Sequence, residues 1–563
     1  SSIEGGPLPM GPSMLAIPAD ELCAWFGSPA TGSLRCPRHR GFRMSAPILD
    51  ATSFWGLLTA RHESSPDHPL LIDDAGRSLT VAEFVTEVEQ VAAGFHALGI
   101  GEGTPVTWVL PTRMETIISS FALSRLGAIQ NPIIHIYRHR EVGFCIKQTK
   151  AEFVLHPGDW GGFDYGSMVT QVTSDLDTPP TLINGYESLP IGDPATLPPA
   201  PEYPAGEAPV RWRYYTSGTT SDPKGVLHTD QTLIAAGTGL GKALEVTSDD
   251  VGSMAFPYAH IGGPDYIVMM LAFGHPAVLI EKFTPGGAVA AFGEHGVTMA
   301  GGSTAFYQMF LAEDQKVDGK VMPALRLMAG GGAPKPPEVY YAVKEDMDVP
   351  IVHGYGMTEC PMICNGSPSD TDDQLANTEG APIEGCAVSI VNPDTGELAG
   401  PGAEGEVRVA GPMLFKGYTD PSLEAGAFDE QGRFRTGDLG LMHDDGHVTL
   451  TGRLKDIIIR KGENISAAEI ENVLYELPQV GNAAVIGLPD PDRGERVCAV
   501  VETAPDQPDL TFDELVAACK GAGLMTQKIP EQLVIHGQAL PRNATMKILK
   551  FELRDQYAEL PWP

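Results

Sequence analysis

From Ile48 onward, apolar residues recur in two alternating rhythms. In SLTVAEFVTEVEQVAAGFHALGI, Phe84, Val88, Val91 and Phe95 fall at helical spacing behind a capping signal, which predicts an amphipathic helix. TPVTWVL reads as a strand and METIISSFALSRLGAI as a second helix. The run from Tyr266 to Ile280 is apolar but broken by Gly274, His275 and Pro276. It predicts a buried helix followed by a strand, because a membrane span needs roughly 20 unbroken apolar residues. Alternation of this kind through about residue 360 predicts parallel sheet covered by helices. Residues 178–209 are rich in proline and read as a surface connection.

From about residue 383 the texture changes. CAVSIVN, GEVRVAG and HVTLTGR are short alternating strands separated by Gly, Asp and Asn turns, which predicts a small β-rich subdomain over about 383–451. After Gly452 the pattern reads strand, helix, strand, strand, helix, strand. Its first helix carries Ser466-Ala467-Ala468-Glu469, a capping-box signature, followed by Ile470, Val473, Leu474 and Leu477 as a buried face. The expected organisation is an irregular N-terminal extension over 1–43, a large α/β domain over 44–454 built of helix-covered β-sheets plus the β-rich subdomain, and a small α+β domain over 455–563. No internal repeat is visible.

Charge and cysteine usage narrow the function. The 563 residues carry a net charge of -34, which disfavours nonspecific binding to nucleic acid or to an anionic membrane. A polyanionic ligand would have to be held by local cations and amides against that field. The eight cysteines include no CxxC pair. Cys360 with Cys364, and Cys36 with His39, each lack the second matched pair that a zinc site needs. Reduced thiols and the lack of a basic-then-apolar leader pattern fit a cytoplasmic protein.

One stretch stands out chemically: YYTSGTTSDPKGVLHT, Tyr214 to Thr229. Thr216, Ser217, Thr219 and Thr220 offer hydroxyls and amides, Gly218 and Gly225 permit close backbone approach, and Lys224 supplies charge. This suits a phosphate ligand, although the lysine spacing is not that of the P-loop. A mobile surface turn is the rival reading of the loop alone.

Further motifs follow in order: GGGAP at Gly330–Pro334, GYGMTE at Gly354–Glu359, GEVRV at Gly405–Val409, RTGDLG at Arg435–Gly440, GRLKDIIIRKGENISAAEIE at Gly452–Glu471 and LPRNATMKIL at Leu540–Leu549. Together with YTSGTTSDPKG, this series resembles the adenylate-forming enzymes, which include acyl-CoA synthetases, peptide-synthetase adenylation domains and firefly luciferase. The resemblance covers roughly residues 48–555.

Each motif also has a physical reading. In GYGMTE the glycines, Gly356 among them, read as a tight turn after the strand PIVH. Tyr355 offers an aromatic face to a purine, Thr358 a hydrogen bond to a phosphate, and Glu359 a hard oxygen ligand for Mg²⁺. Asp438, in a TGD turn, can accept hydrogen bonds from the two vicinal hydroxyls of a ribose. The resemblance implies that Tyr355 stacks on adenine, that Gly332, Ala333 and Pro334 border the base, and that Arg453 contacts ribose or phosphate. It further implies that Lys455 is a hinge, that Gly462 lines the CoA channel, and that Lys547 enters the active site to bridge carboxylate and α-phosphate. His260, Gly302, Gly330, Gly331 and Met357 fall where the family lines its acyl pocket or thiol tunnel, with a structural role for His260 as the rival.

The implied function is an AMP-forming acyl-CoA synthetase that uses ATP, Mg²⁺ and coenzyme A. Its partners are small molecules, and a homodimer is an assembly left open. Phe256-Pro257-Tyr258 stands where amino-acid-activating domains carry an aspartate, which disfavours an amino acid as substrate. Small residues in the pocket segments suit a bulky apolar acid. The chain departs from the family at Ser221, Asn543 and Met546, where glycine, threonine and glycine are usual. An enzyme that mainly thioesterifies a supplied acyl-adenylate is therefore one alternative; a non-catalytic nucleotide sensor is another, of a different class, and Thr358, Glu359 and Lys547 together argue against it.

Overall fold

The structure is a computed structural model that describes residues 46–204, 206–216, 223–460, 463–490, 493–542 and 548–561. These belong to one compact unit, Met44–Pro563. The expected extension 1–43 lies outside the described residues.

The expected α/β class is what the chain adopts. A six-stranded sheet runs Lys224–His228, Trp212–Thr216, Ile129–Pro132, Pro105–Trp108, Phe153–His156 and Thr181–Asn184. All its pairings are parallel except the first, an antiparallel hairpin. Thr181–Asn184 corrects the reading of 178–209 as bare connection: the run Thr181-Leu182-Ile183-Asn184 supplies an edge strand whose Ile183 is buried. A four-stranded sheet places Gly252–Met254 and Pro69–Asp73 parallel to Ala277–Leu279, with Ser78–Thr80 at its edge. A five-stranded sheet sets Met299–Gly302, Leu327–Gly331 and Ile351–Met357 parallel, then adds Cys360–Asn365 and Ala381–Pro382 antiparallel.

Helices cover these sheets for the reasons the pattern gave. Val81–Ala97 starts at Thr80, whose side chain and Glu83 form a reciprocal capping box, and it buries Phe84, Val88, Val91 and Phe95. Met114–Leu126 ends one turn earlier than the apolar run suggested, because Gly127 adopts the left-handed conformation that closes a helix. The apolar run 266–280 divides as its Gly-His-Pro break requires, into helix Gly262–Phe273 and strand Ala277–Leu279. Among the described residues no helix is long and apolar enough to cross a membrane.

The β-rich subdomain is a four-stranded antiparallel sheet of Ala387–Val391, Gly405–Ala410, Phe434–Met442 and Val448–Arg453. In the C-terminal part the expected element order is corrected. The hairpin Ile457–Arg460 and Glu463–Ser466 precedes the first helix, Ala467–Tyr475, and helix Lys550–Tyr557 closes the region. The polar RKGEN stretch had hidden two strands inside one. The long hairpin Val480–Asp490 and Gly494–Thr503 alternates its buried residues between two cores: Ala483 and Val485 face one, Ala484, Ile486 and Leu488 the other.

The capping box expected at Ser466 does not form. The Ser466 hydroxyl donates to the Thr451 carbonyl at 2.6 Å, and Glu469 pairs with Lys528. Sequence gives a helix start its local options; a carbonyl from a distant strand outcompetes them here.

Candidate active site

The three parallel strands Met299–Gly302, Leu327–Gly331 and Ile351–Met357 end side by side, the first two on paired glycines and the third on Tyr355-Gly356-Met357. Gly302 pairs with Gly330, Gly330 with His353, and Gly331 with Gly354. The carboxyl ends of parallel strands are where an open α/β sheet leaves room for a ligand. A Cβ on Gly330 would run into the Gly302 carbonyl, and one on Gly331 into the Gly354 carbonyl, so the glycines let these strand ends approach closely.

GYGMTE is therefore corrected from a turn to a strand. Gly354, Tyr355, Gly356 and Met357 all lie within Ile351–Met357, and the turn falls at Thr358 and Glu359 before Cys360–Asn365. The glycines serve strand contact: a Cβ on Gly354 would strike the Asn365 side chain, and one on Gly356 the Pro361 carbonyl. Beyond Leu327–Gly331, Gly332 takes a left-handed φ of +79°, and the chain turns through Ala333 and Pro334. His353, only 2 % exposed, donates from Nε2 to the Ala333 carbonyl at 2.9 Å and accepts from the Tyr307 hydroxyl at 3.3 Å. Thr304 donates to the Pro334 carbonyl. The GGGAP segment is thus held at two carbonyls.

Asp438 is corrected as well. It lies inside strand Phe434–Met442, 3 % exposed, rather than in a turn; Gly437 just before it takes a left-handed φ of +72°. Three groups converge on its carboxylate or its backbone. The Tyr355 hydroxyl donates to Oδ2 at 2.6 Å, Arg453 pairs with Oδ1 at 2.7 Å, and Thr436 accepts from its backbone N–H. Burial, then the neighbouring Asp438, pushes the Tyr355 phenol well above its ordinary value. Arg453 closes strand Val448–Arg453, register partner of Asp438, and Lys455 follows in the short turn Leu454–Asp456.

Glu359, 5 % exposed, accepts from the Tyr418 hydroxyl at 2.8 Å. Burial raises its carboxyl above the usual range, and the Tyr418 bond and the nearby Lys224 oppose that rise. The Thr358 carbonyl is held by His228 Nε2–H at 2.7 Å. Lys224 and Thr216 are register partners, so both ends of the hydroxyl-rich loop meet in one hairpin. Ser217, Gly218, Thr219 and Thr220 lie outside the described residues, as do Gly462, Lys547 and the departures Ser221, Asn543 and Met546. His260 precedes helix Gly262–Phe273 and accepts from the Gly262 backbone N–H; burial lowers its imidazole to about 4.

Four residues that sequence reading passed over belong to this arrangement: Tyr307, His353, His228 and Tyr418. Only Tyr418 carried a signal, as an aromatic inside the polar run Lys416-Gly417-Tyr418-Thr419-Asp420-Pro421. The other three are distinguished by partners remote in sequence.

Residues 58–419 match the family described as AMP-binding enzyme, and residues 469–547 match the AMP-binding enzyme C-terminal domain. The chain belongs to the AMP-binding enzymes. A medium-chain fatty-acid–CoA ligase of Escherichia coli (strain K12) is 29 % identical over 531 residues, covering 92 % of this chain and 91 % of that protein. The crystal structure of ATP-bound MatB from Rhodopseudomonas palustris aligns with a TM-score of 0.81 at 25 % identity, covering 90 % of this chain and 99 % of that one. O-succinylbenzoate coenzyme A synthetase (MenE) from Bacillus subtilis, in complex with ATP and magnesium ion, aligns with a TM-score of 0.75 at 26 % identity, covering 89 % and 98 %.

The donor set of this AMP-binding enzyme fits Mg²⁺ carried in on ATP. Among the described residues no cluster of three or more His, Cys, Asp or Glu could hold a metal ion. Glu359 is a single buried carboxylate. Mg²⁺ needs only one or two carboxylates when phosphate oxygens and water complete its shell.

Proposed function

We propose that this chain is an AMP-forming acid–thiol ligase that activates a bulky apolar carboxylic acid as its acyl-adenylate and passes the acyl group to coenzyme A. The observation that carries this reading is the convergence of Tyr355 and Arg453 on the Asp438 carboxylate, within electrostatic reach of Glu359 and, through it, of Lys224. A carboxylate flanked by a phenol and a guanidinium offers acceptors to the hydroxyls of a ribose and places a cation beside the phosphates. The resemblance of the surrounding motifs, and the family membership, support a nucleotide as the occupant.

In the adenylation step a carboxylate oxygen must attack the α-phosphorus of ATP, a polyanion, as the bond to the β-phosphate breaks and pyrophosphate leaves. Mg²⁺, when held at Glu359, supplies neutralising charge on the phosphates. Lys224, at the mouth of the loop, offers a further fixed cation, and Lys547 is proposed to add one from the C-terminal domain. The thiol of CoA then attacks the acyl carbon and AMP leaves. Fixing the reactants side by side removes much of the entropic part of the barrier.

The apolar acid is supported by the packing around Gly302. A Cβ there would press on the Phe306 ring, and Phe306 packs against Phe283 in a tilted pair with centroids 4.8 Å apart; both rings are only partly buried. This is an apolar wall beside the strand ends. The test is labelled-pyrophosphate exchange with ATP and a panel of linear, alicyclic and aromatic acids, followed by CoA with synthetic acyl-adenylates. Exchange that grows with the apolar bulk of the acid, together with thioester formation, is the expected result. Thioester without exchange would favour the half-reaction enzyme, and neither, with ATP bound, the sensor.

A further inference from the structure

The segment Lys416–Thr419 carries none of the motifs that point to nucleotide chemistry, yet it touches two of them at once. Lys416 N–H donates to the Leu227 carbonyl at 2.7 Å, Leu227 N–H to the Gly417 carbonyl at 3.0 Å, and Thr419 N–H to the Gly225 carbonyl at 2.7 Å. Val226 and Tyr418 pair as an antiparallel bridge. The segment therefore lies as a short extra rung along Lys224–His228, the strand that leaves the hydroxyl-rich loop. Gly225 is required by this contact: a Cβ there would meet the Thr419 hydroxyl at 2.5 Å.

On the other side the same segment reaches the turn that carries Glu359. Phe415 N–H donates to the Glu359 carbonyl at 2.9 Å, and the Tyr418 hydroxyl donates to Glu359 Oε1 at 2.8 Å. The Lys224 ammonium sits 5.7 Å from the centre of the Tyr418 ring. One buried tyrosine thus contacts the cation of the loop with its face and the proposed metal-holding carboxylate with its edge. Its ring is fixed from behind by Phe415, at 4.8 Å, which in turn packs on Phe428 and Phe434.

We infer that Tyr418 is a positioning residue for the adenylation step, holding the Glu359 carboxylate in the orientation and at the spacing from Lys224 in which it can take Mg²⁺ on the phosphates of ATP. The inference rests on the reading of the site as a nucleotide–Mg²⁺ site. Tyr418 occupies Oε1, and Oε2 receives no side-chain hydrogen bond among the described residues. A buried carboxylate tethered through one oxygen keeps a single rotamer and presents the other oxygen. Without the tether it can turn away, and its charge is buried with less compensation.

The decisive variant is Tyr418→Phe, which keeps the ring, its aromatic packing and the contact with Lys224 and removes only the hydroxyl. Phe428→Leu, which disturbs the same packing without touching Glu359, is the control. Calorimetry on the full chain would measure the affinity of a non-hydrolysable ATP analogue with Mg²⁺ and, separately, of AMP without metal. Tyr418→Phe is expected to weaken the Mg²⁺-dependent affinity by about tenfold, the factor that one hydrogen bond to a charged group carries. The affinity for metal-free AMP falls by much less than that, and Phe428→Leu shows no such selectivity. Equal weakening of both ligands, or none, overturns the inference and leaves the nucleotide reading standing. A wild type that binds neither ligand removes the ground for both.

Discussion

The Tyr355 hydroxyl donates to Asp438 Oδ2 at 2.6 Å across 83 residues of sequence, and Arg453 holds the other oxygen of the same carboxylate at 2.7 Å. A strand of the five-stranded sheet and two strands of the β-rich subdomain are joined at one carboxyl group. The Asp438 carboxylate is thereby fixed in place, with each of its two oxygens held by a group of the protein.

Asp438→Asn should raise the KM for ATP in pyrophosphate exchange by about tenfold or more, since a charged acceptor contributes about 1.5–3 kcal/mol per hydrogen bond and the amide supplies less. The KM for the acid should change little. An unaltered KM for ATP would remove Asp438 from the nucleotide site.

Gly356→Ala and Gly437→Ala separate two reasons for glycine. At Gly356 a Cβ would enter the Pro361 carbonyl, and both strands are fixed by their pairing, so a loss of about 1–3 kcal/mol is expected from overpacking. At Gly437 nothing lies within 4 Å, but φ is +72°, so the cost is the backbone strain alone, about 1–2 kcal/mol. Denaturant midpoints read both. Gly356 adjoins Tyr355 and Gly437 adjoins Asp438, so both variants should also raise the KM for ATP; an unaltered KM in both would argue against the nucleotide site.

Acid should unfold the protein through its imidazoles. Burial lowers His228, His260 and His275 to about 4 and His353 to about 3. An imidazole whose folded pKa is depressed contributes stability that is complete above its unfolded value near 6.5 and is lost as the pH falls through the folded one. The thermal midpoint should decline steadily between about pH 6.5 and 4. A midpoint flat across that window would contradict the neutral, buried state of these rings.

Asp265 works in the opposite sense. It is fully buried on helix Gly262–Phe273, neither carboxyl oxygen has a hydrogen-bond partner among the described residues, and burial raises its pKa well above the usual value. The penalty is absent below the unfolded pKa near 4 and grows as the pH rises through it. Asp265→Asn should therefore gain about 1–3 kcal/mol at pH 8 and little near pH 4, measured by paired denaturation curves. A variant less stable than wild type at pH 8 would mean that Asp265 has a partner when the enzyme is folded in solution.

Legibility followed the range of the interaction. The helices at 81–97 and 114–126 and the helix–strand split near Gly274 were readable because capping, periodicity and glycine conformation act within a few residues. The box at Ser466 failed for the complementary reason, since the Thr451 carbonyl reaches the hydroxyl from another strand. GYGMTE was legible as chemistry but not as geometry. Its glycines look like turn residues until Asn365 and Pro361 are brought against them.

By itself, then, the sequence determined the order of α/β, β-rich and α+β regions and the residue types set at the strand ends, because both follow from local preference and from motifs that are contiguous in the chain. Only tertiary structure decided that Tyr355 and Arg453 share one carboxylate, that His353 and His228 hold backbone carbonyls of the site, and that Tyr418 stands between Lys224 and Glu359. Those relations depend on which buried donor finds which acceptor once the strands have paired, and no spacing along the chain encodes that choice.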